Sequence, residues 1–128
     1  MATTTFTQQY IIVANSAKYG KVDVTMTINF NNEDNTSVIT FDEGYICGGQ
    51  TTGYTGDGVA LANSSANNNT IKLYSISQLT KLGTNHITLY KSDEVDFNKQ
   101  TRFICDLTMV AITIKSDIYN WRKSLRNE

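Results

Sequence analysis

The chain has 128 residues, of which 40% are hydrophobic and 18% are charged, and its formal net charge is −1. This length predicts a single domain, residues 1–128, that folds without a metal or a disulfide framework. The near-neutral charge excludes the electrostatic footprint of a nucleic-acid-binding protein, and no segment approaches the roughly 20 apolar residues of a membrane span.

The first ten residues lack the basic and apolar regions of a signal peptide, which predicts synthesis in a cytosol. Residues 1–9 form an extended N-terminal arm in this interpretation, because their threonines favour β structure. Phe6 is the arm's only anchor for a core. Such an arm becomes ordered when it adds as a strand to a sheet edge, either of its own domain or of a neighbouring copy.

Segment 22–30 has the clearest pattern in the chain. Its apolar residues alternate strictly with polar ones, as expected for a strand of an antiparallel sheet that covers a core on one face. Weaker patterns predict further strands at 8–14, 37–42, 45–47, 59–62, 70–76, 86–91 and 101–115, the last with a bend or bulge. The chain contains no proline, which is weak support for paired sheet edges and is equally explained by lineage bias.

The pattern changes to a helical one near the C-terminus. Ile118, Trp121 and Leu125 are spaced by three and four residues, which predicts a short amphipathic helix over 116–128, capped by Ser116 or Asp117. The predicted fold is therefore all-β: an antiparallel β-sandwich or small jelly-roll-like barrel of about 8 strands with one C-terminal helix.

The segment 44–58 holds six of the eight glycines. Gly53, Gly56 and Gly58 occur in the wrong order for a dinucleotide-binding loop, and no helical pattern follows them. Tight turns explain the segment. The alternative is a ligand-contact loop in which Tyr45, Tyr54 and Asp57 hold a sugar by stacking and hydrogen bonding.

Other candidate sites are weak. Asp93, Glu94 and Asp96 could supply oxygen ligands to calcium, although they lack the register of a calcium-binding loop. His86 is the only histidine and has no identified nucleophile. Cys47 and Cys105 are too few for a disulfide scaffold, and a single bridge between them stays open.

The sequence predicts a non-enzymatic structural subunit of a self-assembling particle, such as a virion capsid or tail, with no cofactor. Its partners are other copies of the chain or other structural subunits, and its interface residues are Phe6, Ile118, Trp121 and Leu125, carried by the N-terminal arm and the C-terminal helix. Its destination is a virion or released particle. The alternative is a lectin-like or toxin-like β-sandwich module that binds a glycan or a membrane surface.

Overall fold

A computed structural model of the protein describes residues 4–46, 60–61, 69–73, 87–91, 93 and 101–126. Within these ranges it contains eight strands and a C-terminal helix. The strands are β1 (Thr5–Ser16), β2 (Gly20–Asn31), β3 (Ser37–Phe41), β4 (Tyr45–Ile46), β5 (Ala60–Leu61), β6 (Thr70–Leu73), β7 (Ile87–Lys91) and β8 (Phe103–Cys105), and the helix is α1 (Thr108–Leu125).

The strands pair antiparallel in the order β4-β7-β8-β1-β2-β3-β6-β5. Six of them form the body of a curled sheet, a half-barrel, and the two-residue strands β4 and β5 lie at its ends. The prediction of a mostly β fold with a C-terminal helix is confirmed. A second sheet packed on the first is not found among the described residues, where α1 provides the second layer, so the eight-stranded sandwich remains a prediction.

The β1–β2 hairpin is the longest pairing of the sheet. Its register runs through twelve pairs without a bulge, from Thr5 opposite Asn31 to Ser16 opposite Gly20. At the open end, Asn32 N–H donates to the carbonyl of Thr4 at 2.8 Å. Because neighbouring residues of an antiparallel strand direct their backbone groups to opposite sides, the even-numbered residues of β1 bond to β2 and the odd-numbered residues face away from it.

The inner face of the sheet forms the core, as the alternation in segment 22–30 predicts. Ile12 and Ala14 of β1 and the even-numbered residues Val24 to Phe30 of β2 are buried there. The neighbouring strands and the helix add Ile39, Phe41, Ile71, Ile87, Leu89, Phe103, Cys105, Ala111, Ile114 and Ile118. This continuous apolar layer is what positions α1 on the sheet.

The structure corrects the predicted boundary between strand and helix. Strand β8 ends at Cys105 and α1 starts at Thr108, so the prediction of β structure over 108–115 is wrong and the helix begins eight residues before 116. The predicted caps Ser116 and Asp117 lie inside the helix. Its N-cap residue is Leu107, and Asp106 Oδ1 accepts a hydrogen bond from Thr108 N–H at 3.0 Å.

The N-terminal arm lies in the sheet of its own chain. From Thr5 onward it is part of β1 and pairs with β2 of the same chain. Residues 1–3 lie outside the described residues. The β-prone threonines thus extend the first strand of the domain's own sheet. This is one of the two placements that the sequence left open for the arm.

Candidate functional site

The two terminal elements of the chain meet at one corner of the molecule, where an aromatic cluster joins them. The Trp121 ring of α1 lies 5.6 Å from the Phe6 ring of β1 and 6.2 Å from the Phe30 ring of β2, both measured between ring centroids. The Trp121 and Phe30 rings meet edge to face, an arrangement that their quadrupoles favour. We call this group, together with Arg122 and Leu125, the β1–α1 corner.

Arg122 connects the helix to the loop between β2 and β3. Its Nε donates to Asn32 Oδ1 at 2.7 Å, and its Nη2 donates to Asn35 Oδ1. The guanidinium carbon also lies 4.9 Å from the Phe30 ring centroid, within the range of a cation–π contact. Asn35 has φ of 61°, a left-handed turn conformation that asparagine tolerates well.

A shallow hollow opens beside this arginine. Asn32, Arg122, Leu125 and Arg126 line it, and its volume is about 290 Å³. The lining combines two guanidinium groups with one amide and one leucine. Leu125 is half-buried here, at the last residue of α1.

Tyr10 and Asp117 fix the middle of the helix to β1. The Tyr10 hydroxyl donates to Asp117 Oδ2 at 2.6 Å. Burial of the ring, the hydrogen bond to Asp117 and the negative charge of that carboxylate all raise the pKa of Tyr10 above its ordinary value. The phenol therefore keeps its proton, and the contact, through the neutral range.

The structure brings three of the four predicted interface residues together within one chain. Ile118 is buried in the core, and Phe6 and Trp121 are half-buried and pack against it. These three hold the chain's own helix on its own sheet, whereas Leu125 is half-buried at the end of the helix and lines the hollow beside Arg122. Sequence reasoning missed the role of Tyr10 and the pairing of Arg122 with the loop amides, because neither contact has a local signal in the sequence.

The other predicted site residues are placed only in part. Tyr45 packs its ring against Phe103 at 5.2 Å and lies under the Lys91 ammonium, so it is not an open stacking platform. Asp93 is exposed in a turn. The remaining members of these predictions lie outside the described residues: Tyr54, Asp57, Glu94, Asp96, His86 and Cys47.

Metal and thiol chemistry finds little support in the described part of the chain. No group of three or more His, Cys, Asp or Glu side chains that could share a metal ion occurs there. Cys105 is a free cysteine buried on the inner face of the sheet, and burial raises the pKa of its thiol to about 12. It is therefore a packing residue rather than a reactive thiol.

Large apolar side chains are exposed on both terminal elements. On β1, Ile11 is 71% exposed and Val13 is 44% exposed on the outer face. On α1, Met109, Ile112 and Tyr119 are 60% to 73% exposed. Because successive residues turn by about 100°, Met109 and Ile112 lie on the side of the helix away from Ala111, Ile114 and Ile118, and Tyr119 lies at the flank between the two sides. The helix thus carries two exposed apolar side chains, Met109 and Ile112, on the outer side of its first two turns.

A second hollow lies at the other end of β1. Asn15, Ala17, Lys18, Thr101, Arg102 and Ile104 line it, and its volume is about 420 Å³. Lys18 and Arg102 place two cations beside an amide and a hydroxyl group. This combination suits an anionic, hydroxyl-rich ligand better than an apolar one.

Comparison of the chain with protein-family models, with curated proteins and with solved structures finds no match. No helix in the described part of the chain is long and apolar enough to cross a membrane.

Proposed function

We propose that the protein is a non-enzymatic structural subunit that assembles with copies of itself through its N-terminal strand and C-terminal helix. The observation that supports this best is the distribution of exposed apolar side chains. Of the eight large hydrophobic residues that are exposed within the described ranges, five belong to β1 or α1: Ile11, Val13, Met109, Ile112 and Tyr119.

The helix gives the main support for this proposal. A surface helix usually has one apolar stripe toward the core and polar residues on the opposite face. Helix α1 also carries Met109 and Ile112 exposed on its outer side, and neighbouring exposed apolar side chains of this kind are typical of a surface that contacts another protein. The outer face of β1 adds a second surface, so each subunit has more than one contact, as assembly into a particle requires.

The proposed interface differs in detail from the one that the sequence predicts. Phe6, Ile118 and Trp121 pack within the chain, and they serve assembly by holding α1 in place. An exchange of terminal elements between copies would make the same contacts between chains, since swapped elements keep their own partners. Incorporation into a virion or released particle is the setting that we propose for such a subunit, and the jelly-roll-like sandwich stays its proposed complete fold.

The test is the mass of the protein in solution as a function of concentration, by sedimentation velocity and light scattering. We expect species larger than a monomer. The double variant Met109→Gln, Ile112→Gln should shift the distribution toward monomer and keep the helical circular-dichroism signal. The matched control is Ser124→Gln, at an exposed position of the same helix about 18 Å along its axis from Ile112. A wild-type protein that stays monomeric at every accessible concentration would remove the proposal.

A second candidate function, recognition of an acidic glycan, is favoured by the hollow lined by Asn15, Lys18, Thr101 and Arg102. A glycan array that includes sialylated and sulfated sugars tests it directly. We expect binding that Arg102→Ala abolishes and that Arg126→Ala, at the opposite end of β1, leaves intact. An array without signal would exclude this function.

A further inference from the structure

Within the described ranges, strand β1 is fully paired along one edge and largely open along the other. On the side of β8 it pairs only through Ala14 and Asn15, and no strand within the described ranges pairs with the rest of that side, residues 5–13. Thr4 and Asn32 form a hydrogen-bonded pair, so the even-numbered residues of β1 bond to β2. The N–H and C=O groups of the odd-numbered residues therefore point to this open side. These residues are Thr5, Thr7, Gln9, Ile11 and Val13. Each presents one N–H and one C=O group.

The open edge lacks the features that protect most sheet edges. Proteins block exposed edges with lysine, proline, bulges or short strands. No charged residue and no proline occurs from Thr4 to Ala17, and β1 is twelve residues long with no bulge in its pairing to β2. Its threonine, isoleucine, valine and tyrosine residues all favour extended structure. This edge is therefore a template for one more strand.

We propose that β1 of a second copy occupies this edge, antiparallel to the first and related to it by a two-fold axis. This inference rests on the proposed self-assembly, and it specifies β1–β1 pairing as one contact between the copies. Because this edge has no charge, it can face an identical edge without repulsion. A charged strand from another protein would find no ion-pair partner there. Antiparallel pairing of identical edges is also the isologous arrangement of a closed two-fold dimer.

The longest possible overlap of the two strands gives the register that we propose. Because β8 already occupies Ala14 and Asn15, the second copy has residues 5–13 available, and their midpoint is Gln9. An axis at Gln9 places Gln9 opposite Gln9 of the second copy and Ile11 opposite Thr7 of the second copy. Odd-numbered residues then meet odd-numbered residues, so the backbone donors and acceptors of both open edges satisfy one another.

The side chains agree with this register. On the inner face it places Phe6 opposite Ile12 of the second copy, but Ile12 is already buried by its own chain, so this pair adds little to the contact. On the outer face it joins the exposed Ile11 and Val13 of the two copies into one surface. At the axis, the amide of Gln8 now donates to the carbonyl of Gln9 at 3.3 Å, a bond that the second strand would replace.

Disulfide trapping tests the register. In the proposed dimer, Gln9→Cys lies about 5.5 Å from its own copy between Cα atoms, within reach of a disulfide bond. Thr27→Cys is the matched control: Thr27 is the cross-strand partner of Gln9 in β2 and would lie about 15 Å from its own copy. Both variants keep the native cysteines. Under mild oxidation we expect a covalent dimer from Gln9→Cys and a monomer from Thr27→Cys, by intact mass and non-reducing gel.

Charge repulsion tests the same contact without a covalent bond. Gln9→Lys places two ammonium groups together at the axis, and we expect the dimer dissociation constant to rise at least about tenfold. Thr27→Lys, one strand away on the same face, should leave it unchanged. The circular-dichroism spectrum and the urea midpoint of both variants at low concentration show whether each one still folds.

The outcomes separate this inference from the proposed function. If the wild-type protein assembles but Gln9→Cys does not crosslink and Gln9→Lys assembles normally, the edge pairing is wrong and self-assembly stands. Stronger crosslinking of Thr7→Cys than of Gln9→Cys would overturn the register. A wild-type protein that is monomeric at all concentrations would remove both. If the edge instead binds a different protein, the purified chain would be monomeric on its own, and that result would contradict pairing with a second copy.

Discussion

The two faces of the sheet belong to the same strands but have different chemistry. Along β1, Ile12 and Ala14 are buried on the inner face, whereas Ile11 and Val13 are exposed on the outer face. Along β2, the inner face is continuously apolar, and the outer face carries Thr25, Thr27 and Asn29. The inner face therefore accounts for folding of the single chain, and the exposed apolar residues of the outer face are available for contacts between chains.

Truncation of the neighbouring residues Ile12 and Ile11 should give the largest difference in stability between the two faces. Ile12→Ala removes a side chain that is 4% exposed and should lower the free energy of unfolding by about 2–5 kcal/mol. Ile11→Ala should change it by less than about 0.5 kcal/mol and weaken assembly instead. Urea denaturation at low concentration measures stability, and sedimentation measures assembly. Equal losses of stability from the two variants would contradict the comparison.

Alkaline pH should also act through the inner face. The folded chain keeps the Cys105 thiol protonated, because burial raises its pKa from 9.0 to about 12. Its contribution to stability is complete below the pKa of the unfolded state and is lost as the pH rises toward the folded value. The free energy of unfolding should fall by up to about 1.4 kcal/mol per pH unit above 9.

Cys105→Ala is the control for this pH effect, since a buried free cysteine packs as a small apolar residue. The variant should be less stable at neutral pH and should show a shallower alkaline decline, measured by urea denaturation from pH 7 to 11. Identical pH slopes for the variant and the wild type would show that Cys105 is not the group responsible. The neighbouring residue Ile104, on the outer face, has no titratable group and adds nothing to the pH dependence of stability.

The sequence predicts the two faces well in some places and poorly in others. Strict alternation identifies β2, because one side chain in two is polar. The same reasoning fails at 108–115, where Ala111 and Ile114 face the core while Met109 and Ile112 face solvent. Apolar residues on both sides of a helix hide its period, and the β-branched residues there favour a strand. The exposed apolar residues that we propose for assembly are thus the feature that made the helix look like a strand in the sequence.

Only part of the β1–α1 corner could be predicted from the sequence, which gives no sign that Phe30 and Arg122 belong to it. Spacing alone identifies Ile118, Trp121 and Leu125 as one helix face, and Phe6 as an anchor. It cannot show that Phe6 and Trp121 meet in one chain, because that contact depends on the path of β8 into α1. The bonds from Arg122 to Asn32 and Asn35 likewise join residues about 90 positions apart.

Two arginines one turn apart allow a test of this corner. Arg122→Lys removes the bonds to both asparagine amides and the contact with Phe30, since lysine lacks the planar guanidinium group. We expect a loss of about 1–2 kcal/mol in the free energy of unfolding. Arg126→Lys, at an exposed position, should change it by less than about 0.5 kcal/mol. The single tryptophan, Trp121, reports on the corner by fluorescence.

The smallest expected change in stability comes from removing one hydroxyl group, either where the helix faces the sheet or where it faces solvent. Tyr10→Phe deletes the bond to Asp117, which faces the sheet, and should cost about 1 kcal/mol because the half-buried carboxylate keeps partial access to water. Tyr119→Phe deletes a hydroxyl on the solvent face and should cost nothing measurable in the monomer. In an Asp117→Asn background the Tyr10→Phe cost should shrink, since the charged acceptor is gone. A full cost in that background would mean that the tyrosine stabilises the helix through packing rather than through the hydrogen bond.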